Sequence, residues 1–122
     1  MASEQIIQAV CLLPRTLKVA STKSISQLLL ESGYFAQPET VTSDAIRAFL
    51  RSNLHLIQDW LDYSADKRTS TGWFFTEGPA SGERTYFVGY YPGGDRMQYT
   101  RIEEACTSFI LHEIDQIRAN AA

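Results

Sequence analysis

The sequence predicts an α+β fold: N-terminal and central helices, a three-stranded antiparallel β-meander, and a C-terminal helix packed on the sheet. Two patterns carry this. Apolar residues recur at spacings of three and four from Ile46 to Leu61 and from Ile102 to Ile117, the period of a helix with one buried face. Between these regions, "GWFFTEG" (72–78) and "RTYFVGYY" (84–91) are rich in aromatic and β-branched residues and flank the turn-forming "PASGE", which predicts a β-hairpin.

Each element follows from local chemistry. Ser3 is placed to cap a first helix, and Ile6, Ile7, Val10, Cys11 and Leu13 give it an apolar stripe that stops near Pro14. "PRTLKVASTKS" behind it reads as irregular. A second helix is expected from Ser24, with Ile25, Leu28 and Leu29 inward and Gly33 as the left-handed residue after its end; "YFAQPETV" then reads as a loop. The Thr42/Ser43 cap opens the central helical region, with Asp44 in the first turn, where a carboxylate suits the helix dipole. Its apolar face comprises Ile46, Phe49, Leu50, Leu54, Ile57, Trp60 and Leu61. Asn53 in "RSN" is able to cap a second helix starting at Leu54, so one bent helix and two short ones are both compatible with the pattern.

In the second strand, Tyr86, Val88 and Tyr90 point one way and Thr85, Phe87, Gly89 and Tyr91 the other, so one face meets the helices and the other is partly open. "PGGD" (92–95) turns the chain into a short third strand, "RMQYT". Thr100 and Glu103 then form a T-x-x-E capping-box pattern ahead of the last helix, whose inward residues are Ile102, Ala105, Cys106, Phe109, Ile110, Ile114 and Ile117.

Composition narrows the function. The 122 residues are 44% hydrophobic and 20% charged, suited to a single α+β domain spanning 1–122 that folds without a metal or disulfide. The formal net charge is −3, which gives no electrostatic footprint for nucleic acid and favours a basic partner. "IIQAVCLLP" lacks a basic leader and is too short to cross a bilayer, so a cytoplasmic protein away from membranes is expected. Cys11 and Cys106 fall at apolar helical positions with no C-x-x-C pairing and read as reduced core thiols.

No catalytic motif stands out. His55 has Asp59 four residues on, and His112 has Asp115 three on, but a stable metal site needs three or four ligands. "YYPGGDRMQYT" has a strand and a glycine loop but leads into another strand rather than a helix, so a hairpin turn outranks phosphate binding. No nucleophile elbow or metal motif is present, and neither enzyme activity nor a cofactor is expected. The alternative is a small enzyme or nucleotide-binding domain whose site is assembled from distant residues such as Asp66, Arg68 and His112.

The stretch "LDYSADKRTSTGWFF" (61–75) joins a charged cluster to an aromatic patch. Lys67 and Arg68 suit a helix C-terminus, Ser70 and Thr71 a turn, and Gly72 a reversal into the first strand. Together with "YFVGYYP" and "EEACTSFILHEI", the run "WLDYSADKRTSTGWFF" resembles the bacterial immunity proteins of contact-dependent growth inhibition systems. The resemblance spans roughly Ile46 to Ile117, with D-K-R-x-S-x-G-W its most specific part, and leaves residues 1–40 outside.

The resemblance implies a cytosolic protein that binds and neutralises a cognate secreted toxin domain, a nuclease with a basic substrate cleft. It carries over no toxin-contact residue, so the candidates come from surface chemistry. Asp62, Asp66, Glu77, Glu83 and Asp95 would supply charge, and Trp73 or Tyr91 an aromatic anchor.

Overall fold

In a computed structural model, which describes residues 3–20, 22–67, 72–78, 84–93 and 96–121, the chain is α+β. Six helices accompany a three-stranded antiparallel sheet among the described residues: α1 (Ser3–Cys11), α2 (Leu13–Val19), α3 (Ile25–Glu31), α4 (Ser43–Ser52), α5 (His55–Lys67), β1 (Gly72–Glu77), β2 (Tyr86–Tyr91), β3 (Arg96–Tyr99) and α6 (Ile102–Ala121). The strands lie in the order β1-β2-β3, as a meander requires.

Local signals account for most boundaries. The Ser24 hydroxyl accepts the Gln27 N–H (3.1 Å) at the start of α3, and Gly33 follows its end with φ of 91°. The Thr42 hydroxyl accepts the Ala45 N–H (3.2 Å) at the start of α4. These bonds satisfy donors that a helix's first turn otherwise leaves without partners.

Four expectations need correction. "PRTLKV" is helical, because Pro14 occupies the second position of α2, where its missing N–H costs no intrahelical bond. "YFAQPETV" includes a short 3-10 turn, Pro38–Thr40. The central region is two helices, and Asn53 does not cap the second with its side chain: its amide donates back to the Phe49 carbonyl (2.9 Å), closing α4 instead. With Asn53 at φ of −143° the helical phase is lost, and Leu54, expected inward, is 61% exposed. Finally, the Arg101 carbonyl accepts the Ala105 N–H (3.2 Å), which places the cap of α6 one residue after Thr100.

The core forms between the sheet and the helices. Strand register sets Trp73 opposite Tyr90, Phe75 opposite Val88 and Glu77 opposite Tyr86 on the inner face. Phe75 and Val88 are buried there, with Phe109 of α6 packed on Phe75 at a ring separation of 5.9 Å. Trp60 stands edge-on to Phe109 and Tyr63, and its indole N–H donates to the Cys11 carbonyl (3.0 Å). The N-terminal helices therefore belong to the same core, to which they contribute Ile6, Val10, Leu13, Leu28 and Leu29. Cys11 and Cys106 are buried free thiols. Burial pushes the Cys11 thiol up to about 12, and burial first and Cys11 second push Cys106 well above its ordinary value.

On the outer face the rows are Phe74–Gly89–Arg96 and Thr76–Phe87–Gln98. The Arg96 guanidinium lies over the Phe87 ring (4.5 Å). No described helix is long and apolar enough to cross a membrane.

Candidate interaction groove

One hydroxyl of α5 ties the helix to the edge of β1. Ser64, 1% exposed near the end of α5, accepts the main-chain N–H of Phe75 through its hydroxyl (2.7 Å). β1 is an edge strand, and this bond satisfies a donor that no neighbouring strand can reach. Gly72 enters β1 with φ of 145°, a conformation that suits glycine.

From this tie toward the N-terminal half of α5, helix and strand enclose a groove of about 450 Å³ lined by Gln58, Leu61, Asp62, Ser64, Ala65 and residues 74–77. Its floor is apolar, through Leu61, Ala65 and Phe74. Asp62 borders it from the helix and Glu77 from the end of the strand, and both are exposed. The Gln58 amide donates to one Asp62 oxygen (3.0 Å). No lysine or arginine lines the groove among the described residues.

The other candidates lie elsewhere. Asp66 borders a small cleft between α5 and α2 with Pro14, Leu17, Lys18, Asp59 and Tyr63. Asp59 itself is engaged by Arg15 of α2 (2.9 Å). No group of three or more metal-ligating side chains is found among the described residues. Trp73 stacks in parallel on His112 of α6, with ring centroids 4.0 Å apart, and meets Tyr90 edge-on. Tyr91 ends β2 on the outer face, 49% exposed. Glu83, Asp95 and Arg68 lie outside the described residues, as do Ser70 and Thr71.

His112 borders a different cleft from Asp66, of about 380 Å³, with Ser43, Arg47, Tyr99 and Glu104 among its walls. Burial lowers the His112 pKa, against a smaller opposing pull from Asp115. Between α5 and α6, the Tyr63 hydroxyl donates to the Glu113 carboxylate, a buried group. Burial, and then the Glu113 charge, raises the Tyr63 pKa.

Sequence reading overlooked Ser64, Gln58, Leu61 and Phe74 as parts of one surface. No local pattern marks Ser64, since its partner is eleven residues away on another element. Comparison with protein families, curated proteins and solved structures returns no match for this chain.

Proposed function

We propose that this protein is a cytoplasmic immunity protein that binds a cognate secreted toxin domain, a basic nuclease, and neutralises it by protein–protein interaction. The observation that carries the reading is the α5–β1 groove, where two exposed carboxylates flank an apolar floor with no basic side chain among its described lining. Such a surface suits a cationic partner: charge speeds encounter, and apolar contact slows release. The net charge of −3 adds a long-range pull toward a basic protein and repels nucleic acid. The family resemblance spans roughly Ile46 to Ile117, a range that includes α5 and β1.

Co-expression with the toxin domain encoded beside it tests the reading. The expected result is a co-purifying complex and loss of toxin activity. A toxin that neither binds nor loses activity refutes it. In the complex, Asp62→Asn with Glu77→Gln should weaken affinity by about tenfold, mostly through slower association and with a reduced dependence on salt, as isothermal titration and surface plasmon resonance would measure.

A further inference from the structure

We infer that the α5–β1 groove is a subsite for an arginine side chain, whose guanidinium sits between Asp62 and Glu77. This deepens the partner-binding reading and rests on it. The shape comes first. Helix and strand are tied where Ser64 meets Phe75, and both Gln58 and Glu77 lie farther along the groove from that tie. Six residues of helix cover about 9 Å and two of strand about 7 Å, so the groove runs about the length of one long side chain.

The hydrogen-bonding character of the walls points the same way. The Gly78 N–H donates to the Thr85 carbonyl (2.6 Å), so even-numbered residues of β1 pair with β2. The odd-numbered residues turn their main-chain groups away from β2, as the Phe75 N–H shows by reaching Ser64. The carbonyls of Phe75 and Glu77 therefore face the α5 side, as does the Glu77 N–H, and the Glu77 carbonyl also accepts the Thr76 hydroxyl (3.3 Å). With the exposed carboxylates of Asp62 and Glu77 added, acceptors predominate on this edge. A guanidinium is their complement, with five N–H donors, no acceptor and a fixed positive charge. An ammonium carries the charge but neither the plane nor the fork of donors.

The test uses the full chain, labelled with nitrogen-15 and titrated with capped tripeptides Gly-Arg-Gly, Gly-Lys-Gly and Gly-citrulline-Gly. The arginine peptide should give saturable amide shifts at residues 61–65 and 74–77, with a dissociation constant on the order of millimolar. It should bind about fivefold or more tightly than the lysine peptide, and the citrulline peptide should give no saturable shift. Asp62→Asn with Glu77→Gln should weaken arginine binding about tenfold or more; both residues are exposed, and circular dichroism checks that the fold is kept. Equal binding of lysine, shifts centred elsewhere, or no saturable arginine binding overturns the inference. If any of these occurs while the toxin still co-purifies with the chain, the partner-binding reading stands and only the arginine subsite falls.

Discussion

The hydroxyl of Ser64 on α5 accepts the main-chain N–H of Phe75 on β1 at 2.7 Å, and both residues are almost wholly buried. Removing the acceptor leaves a buried N–H without a partner, which costs about 1–3 kcal/mol. Ser64→Ala should lower the urea unfolding free energy by that amount and speed hydrogen exchange at the Phe75 amide. An unchanged exchange rate at Phe75 would show that the bond does not hold the strand edge.

Trp60 joins the N-terminal helices to the rest of the core through its indole N–H on the Cys11 carbonyl. Trp60→Phe keeps an aromatic ring but deletes the donor and leaves a void. A loss of about 1–3 kcal/mol is expected from the unpaired carbonyl alone, and packing loss adds to it. Denaturant unfolding of the variant measures the sum, and a loss below this range would mean that the carbonyl finds another partner.

Gly89 is required by a close approach across the sheet. A Cβ at this position would lie 2.8 Å from the Arg96 Cβ and 2.8 Å from the Phe74 ring. Gly89→Ala should therefore destabilise by about 1–3 kcal/mol through crowding. Because Phe74 also lines the groove, nitrogen-15 spectra of this variant should show shifts at Leu61 and Ala65 as well as at the substituted strand.

His112 makes stability depend on pH. Its folded pKa lies below the ordinary value of 6.5, chiefly through burial, so between the two values the unfolded chain binds more protons than the native one. The stabilising contribution is fully present above 6.5 and is lost as pH falls through the lowered folded value. Unfolding free energies of the native chain and of His112→Gln, compared across this window, should show a shallower pH slope in the variant. Parallel slopes would place the titration elsewhere.

Much of the architecture is legible in short stretches. The Ser24 and Thr42 caps, the positive φ of Gly33 and Gly72, and the alternation of Tyr86, Val88 and Tyr90 all follow from chemistry within a few residues. Local reading fails where two local rules compete. Pro14 signals both the end of one helix and the early turn of the next, and Asn53 is able to bond in either direction. Surface candidates are legible only as residue types: Asp62 and Glu77 come to border one groove, Asp66 borders another cleft, and Trp73 stacks on His112.

By itself the sequence determined the α+β class, the three-strand meander, most of the buried face of the helices other than α2, and a net negative charge. These depend on periodicity, turn chemistry and net charge, which act locally or over the whole chain. Only the tertiary structure decided that Ser64 secures the edge of β1, that Cys11 receives the Trp60 indole, and that Asp62 and Glu77 flank one apolar groove. The physical reason is that periodicity orients a side chain relative to its own element. Which other element it meets is set by how the faces pack together, and that information is distributed over the entire core.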